Sequence, residues 1–148
     1  MTTGPNHRVR LSGTVEVASA LEEAFSLFTP SGERAWARGW RPMFPSPSGD
    51  ETEPGTAFLT SHGGRDSIWI VVRCEPGRCI EYATVTPGWR CGLLTVACKA
   101  SGGATTATVS YDLTALSDTA DADLDTFAAD YPSFLDHWQS AIAEALRR

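Results

Sequence analysis

In the last part of the chain Leu124, Phe127, Tyr131, Phe134, Trp138, Ile142 and Ala145 recur every three or four residues. At 3.6 residues per turn this spacing predicts a helix over residues 121–148 with one bulky, largely aromatic face, which must be buried against a broad apolar surface. Asp118, Asp121, Asp123 and Asp125 lie at its start and Arg147 and Arg148 at its end, the polarity that suits a helix dipole. Pro132 interrupts it, and a residue with no N–H and a fixed ring predicts a kink near Tyr131 or a helix that restarts at Asp130.

The partner surface is encoded just upstream. Segments 56–62, 67–74, 79–86, 89–99 and 104–113 are rich in Val, Ile, Thr and aromatic residues, as strands prefer. Pro76-Gly77 and Pro87-Gly88 supply the proline and the left-handed glycine of tight type II turns, and Gly63-Gly64 and Gly102-Gly103 supply two further reversals. Five strands joined this way form an antiparallel meander. Residues 8–17, with Val9, Leu11, Val15 and Val17, read as a sixth strand whose alternation slips at Gly13, where a bulge is expected. Ser19 and Glu22 have capping-box spacing and start a short helix carrying Leu21, Ala24, Phe25 and Phe28. Thr29-Pro30 opens a second short helix through Trp36, stopped by Gly39. Residues 41–55 hold repeated Pro and Gly and read as a long surface loop, a candidate rim or lid, and residues 1–7 as a flexible start.

These elements predict one α+β domain spanning residues 1–148: about six antiparallel strands curved around one long C-terminal helix. In element order it resembles the helix-grip fold of the START/Bet v 1-like (SRPBCC) superfamily. The segments 19–28, 29–40 and 134–138 are similar to those of its bacterial polyketide cyclase/dehydrase and Hsp90-activator-like members. The resemblance implies a cavity between sheet and helix for a hydrophobic small molecule, lipid-like or polyketide-like. It does not imply one reaction, because a single fold hosts carriers, sensors and cyclases.

On the helix the cavity candidates are Phe127, Tyr131, Phe134 and Trp138; on the sheet they are Phe58, Trp69, Tyr82, Trp89 and Leu94; Trp40 belongs near the mouth. Aromatic side chains of this size serve equally as core. Chemistry-bearing residues are sparse. His62 shares strand parity with Phe58, and Glu81, Asp66 and Asp112 are its candidate partners; His7 and His137 are placed at the chain start and on a helix flank. Arg90 has the parity of Leu94 and fits a rim, with its stem buried and its head in water; Tyr82 is a further proton-donor candidate. Glu33 is read with Arg34, Arg38 and Arg41 as part of a solvated helix face.

A formal net charge of −6 argues against nucleic acid or an anionic membrane as the main partner. No signal pattern or membrane-length apolar run is present, so a cytoplasmic location is expected. Cys74, Cys79, Cys91 and Cys98 lie in strands without metal-ligand spacing; they read as small buried hydrophobes, and neither metal nor cofactor is expected. Ile68 to Val72 is apolar on both strand faces, which a buried strand or a homodimer contact would explain. Two function classes stay open: a binder of a hydrophobic small molecule, and a cyclase or dehydratase acting in the same cavity through His62, Arg90 or a tyrosine. The resemblance adds a third, a chaperone-associated interaction module.

Overall fold

The computed structural model describes residues 7–47 and 49–148. Six strands, β1 (Arg8–Val17), β2 (Ala57–His62), β3 (Arg65–Glu75), β4 (Cys79–Thr86), β5 (Arg90–Ser101) and β6 (Ala104–Ala115), form one sheet in the order β1-β6-β5-β4-β3-β2. Every neighbouring pair is antiparallel, so the meander closes with β1 added beside β6. Both Pro-Gly turns have left-handed glycines and the backbone bond across the turn, Arg78 N–H to Glu75 O and Trp89 N–H to Thr86 O.

Helix α1 (Leu21–Ser26) and a single 3-10 turn (Gly32–Ala35) follow β1; α2 (Asp118–Ala129) and α3 (Tyr131–Leu146) end the chain. The aromatic stripe is thus carried by two helices that meet at Asp130, with Pro132 in the first turn of α3, where its missing N–H is not needed. Alternate residues of each strand point to the helices: Val15 and Val17 from β1, Phe58 from β2, Val71 from β3, Ile80 and Tyr82 from β4, Leu94 and Val96 from β5, Ala107 and Val109 from β6. On α3, Tyr131, Leu135 and Ile142 are buried against them.

Three local expectations are corrected. The register of β1 against β6 runs unbroken from Arg8 to Val17, so Gly13 makes no bulge; the register shift lies in β3, between Val71 and Arg73. Gly13 instead clears space for α3, since a Cβ there would overlap Cδ1 of Leu135. The Ser19 capping box does not form: α1 starts after Ala20 with no side-chain cap, and the Ser19 hydroxyl is buried without a partner. The second short helix shrinks to the 3-10 turn, because the Thr29 hydroxyl bonds to Ser26 O and accepts from Gly32 N–H, holding a tight turn where a helix would need to open.

His7, expected in a flexible start, donates its backbone N–H to Asp121 and places Nε2 2.7 Å from Asp125, which ties the chain start to α2; residues 1–6 lie outside the described residues. Within the loop 41–55, Met43 exchanges two backbone bonds with Leu59 and so covers the β2 edge. Among the described residues no helix is long and apolar enough to cross a membrane. All four cysteines are free thiols, and burial raises the Cys98 thiol to about 11.

Gly13→Val should push α3 away from β1 and lower stability by about 1–3 kcal/mol, the usual range for overpacking. Denaturant unfolding measures it; a loss under about 0.5 kcal/mol, the range of a neutral surface change, would show that the close approach is not required.

Candidate ligand-binding cleft

Three side-chain donors hold the segment between α1 and β2, two of them its own indoles and the third a tyrosine of β4. The Trp36 indole donates to Leu27 O at 2.8 Å, the Trp40 indole to Pro30 O at 2.7 Å, and the buried Tyr82 hydroxyl to Phe28 O at 2.7 Å. Glu51 adds a clamp from outside, accepting from both the backbone N–H and the hydroxyl of Ser31. A segment with little regular structure therefore presents Trp36 and Trp40 in fixed positions.

Two aromatic groups result. Over β2, β3 and β4, Trp40, Phe44, Phe58, Trp69 and Tyr82 pack together, with Phe58 and Trp69 stacked at 5.9 Å and 3°. Along the helices, Trp36, Phe28, Trp138, Phe134, Tyr131, Phe127 and Tyr111 form a second chain of contacts. Between the groups lies a cleft of about 350 Å³. Trp40, Trp69 and Trp89 face Phe134 across it, and Thr60, Ser67 and Thr86 supply hydroxyls. Of these hydroxyls, Thr60 accepts from the Trp69 indole, and Ser67 and Thr86 bond each other at 2.6 Å.

The mouth is cationic. Arg65 lies 3.7 Å over the Trp89 ring, and Arg90 lies 5.2 Å over Phe127 and 3.8 Å from Asp123. Two wider openings adjoin it. One, of about 770 Å³, runs past His62, Arg90, Phe127 and His137; the other, of about 890 Å³, lies between residues 34–42 and the Trp138 side of α3.

Glu33 is where the structure departs most from the sequence reading. It is 5% exposed, not part of a solvated face, and its carboxyl has no hydrogen bond or cation among the described residues. Burial holds its pKa well above the usual carboxylate range. The Tyr82 and Tyr111 hydroxyls are also pushed up, chiefly by their own burial.

Of the residues singled out in the sequence, Trp40, Trp69, Trp89, Phe134, His62 and Arg90 line the cleft together. Phe58, Tyr82, Leu94 and Tyr131 are buried in the core; Tyr131 donates to Val109 O at 2.6 Å. Phe127 and Trp138 are half-buried at the adjoining openings. His62 is exposed at the mouth without a carboxylate: Glu81 accepts from Thr95 and Asp112 pairs with Arg8 on the opposite face, and Asp66 accepts from Ser61. No dyad forms from these groups. The sequence reading missed Arg65, the three hydroxyl residues and Glu33. The hydroxyls share the parity of inward neighbours, and Glu33 precedes Trp36 by three, which stacks the two on one side of a 3-10 turn. Among the described residues no cluster of three or more His, Cys, Asp or Glu is placed to hold a metal.

A family model described as polyketide cyclase / dehydrase and lipid transport matches residues 8–142. No curated protein matches the chain. Among solved structures, a Rhizobium leguminosarum protein is similar at TM-score 0.68 and 15% identity over 93% of this chain and 96% of that one. A Streptomyces aromatase/cyclase aligns at TM-score 0.66 and 15% identity over 96% of both chains. Norcoclaurine synthase from Thalictrum flavum aligns at TM-score 0.68 and 8% identity over 97% of this chain and 89% of that one. At such identities these structures share the fold.

Because the unfolded chain releases the Glu33 proton near 4.5 and the folded chain retains it, raising the pH above that value favours unfolding. Stability relative to Glu33→Gln should therefore fall by up to about 1.4 kcal/mol per pH unit above 4.5, levelling once the folded carboxyl ionises. Unfolding of both proteins at a series of pH values checks it; a pH-independent difference would contradict the buried, protonated carboxyl.

Proposed function

We propose that this chain, which belongs to the polyketide cyclase / dehydrase and lipid transport family, binds a small molecule with a flat aromatic or lipid-like body in the cleft between Trp40, Trp69 and Phe134. The observation that carries this reading is the cleft itself, whose roughly 350 Å³ falls within the range of small-molecule sites and whose walls are rigid rings with a few hydroxyls. Arg65 and Arg90 at the mouth suit a ligand with an anionic or phenolic end, held in water while its body enters between the rings. A polyketide cyclase or dehydratase would use the same cleft. Binding without turnover is preferred, because among the described residues no carboxylate is hydrogen-bonded to His62, and Glu81, Asp112 and Asp66 are engaged with Thr95, Arg8 and Ser61.

Self-association is a second reading and rests on a different surface. The convex face of the sheet carries two apolar rows across paired strands: Met43, Leu59, Ile68, Val85 and Cys91, and Ala57, Ile70, Ala83 and Leu93. Met43 is 60% exposed, and Ile68, Ile70 and Leu93 are about 40% exposed. A second copy of the chain apposing the same rows would cover both at once, as a two-fold contact does.

Calorimetric titration with naphthoate should show binding, weakened about tenfold or more by Trp69→Ala or Phe134→Ala and about fivefold by Arg90→Gln. No binding by the wild type, or equal binding by all three folded variants, would contradict the assignment. For self-association, sedimentation should give a dimer that Ile70→Lys reduces to monomer; a monomer at high concentration in the parent chain would refute it.

A further inference from the structure

The wide opening between residues 34–42 and α3, about 890 Å³, is lined by Arg34, Arg38, Arg41 and Arg148 and by a single acid, Glu144. All four arginines are exposed, and among the described residues none of their side chains makes a salt bridge or a hydrogen bond. Elsewhere the chain pairs its arginines: Arg8 and Arg10 stand beside Asp112, Arg73 beside Glu75 and Arg90 beside Asp123. Glu33, the acid next to Arg34 in sequence, is buried and does not line the opening. A chain of net charge −6 thus keeps an unneutralised positive concavity. Like charges around one concavity repel one another and raise the local concentration of anions, and an anion that enters relieves the repulsion.

The arginines converge from two elements. Arg34, Arg38 and Arg41 come from the segment between α1 and β2, and Arg148 follows the end of α3, whose His137, Trp138, Ala141 and Glu144 form the facing stripe. Between them the wall is aromatic, with Trp36 and Trp40 on one side and Trp138 on the other. The Trp36 and Trp40 indoles spend their N–H groups on Leu27 O and Pro30 O, so these rings offer packing surface and donation into the opening falls chiefly to the guanidinium groups.

We propose that this opening is a second ligand site, which takes an organic polyphosphate bearing a flat ring, the chemical class of a nucleoside triphosphate. One carboxylate answers one guanidinium; four guanidinium groups call for several negative charges held close together, which a chain of phosphates supplies and which arginine binds through paired N–H donors. The ring packs against Trp138. The volume is in the range of small-molecule sites. The opening shares Ala37, Arg38, Gly39 and Trp40 with the cleft, but Arg34, Arg41, Trp138 and Arg148 line the opening and not the cleft, so the two sites are separable by mutation.

Calorimetric titration with ATP, inorganic tripolyphosphate and adenosine, without divalent metal, tests the proposal. ATP should bind about fivefold more tightly than tripolyphosphate and about a hundredfold more tightly than adenosine, and raising salt from about 50 to about 200 mM should weaken it severalfold. ATP should move the Trp138 indole resonance and leave those of Trp69 and Trp89 fixed. The double variant Arg34→Gln/Arg41→Gln should lose about tenfold or more in ATP affinity and keep its naphthoate affinity, whereas Arg73→Gln/Arg78→Gln, with the same change of charge outside the opening, should bind ATP as the wild type does. Equal losses in the two double variants would overturn the site, as would no binding of ATP to the wild type. Tripolyphosphate binding as tightly as ATP would overturn the organic ligand. Binding of poly-glutamate without binding of ATP would contradict the proposal and assign the arginines to an acidic protein partner.

Discussion

The close contact of α3 with β1 sets the space available to everything else. Six strands about 4.8 Å apart make a sheet roughly 24 Å wide, whereas a helix with its side chains is about 10–12 Å across. One helix matches the sheet in length and falls short in width. Gly13 lets Leu135 settle directly on β1, which draws α3 to that side. The concave surface of β2 to β5 is left for α1, the 27–44 segment and the aromatic side chains to cover.

That covering is achieved by rings held with hydrogen bonds. Trp36, Trp40 and Tyr82 each use one polar atom to fasten the backbone of residues 27–30 and offer the rest of the ring as packing surface. Edge-to-face and stacked contacts then knit the β2–β4 side and the helix side into separate groups. The cleft is the gap between these groups, with Arg65 and Arg90 at its mouth. Rings in such groups resist collapse, which keeps a gap open where aliphatic side chains would repack.

Much of this was legible in the chain. The strand limits of β1 and β4, the two Pro-Gly turns, and a terminal helix restarting at Asp130 followed from alternation, turn chemistry and proline geometry. Trp69 and Phe134 were candidates for facing walls and Trp40 for the mouth, and all three line one cleft with Trp89, but strand register and the path of the 27–44 segment, which set that meeting, could not be read from the chain. What failed depended on competition between local and tertiary bonds. Ser19 had the spacing of a cap, yet its backbone O is taken by the Thr105 hydroxyl and its own hydroxyl is buried. Gly13 looked like a bulge because its role involves a residue far along the chain. Glu33 sat among arginines in sequence, but it lies in a 3-10 turn that buries it, a change of helix type that propensity does not encode.

The indole N–H resonances of the five tryptophans test the central claim most directly, because Trp69 and Trp89 line the cleft and not the far opening, Trp36 and Trp138 line the far opening and not the cleft, and Trp40 lines both. On addition of an aromatic ligand such as naphthoate, the account predicts that the Trp40, Trp69 and Trp89 signals move together and saturate at one affinity while Trp36 stays fixed. Movement confined to Trp138, or no movement of any indole at saturating ligand, would contradict a ligand site between the two aromatic walls.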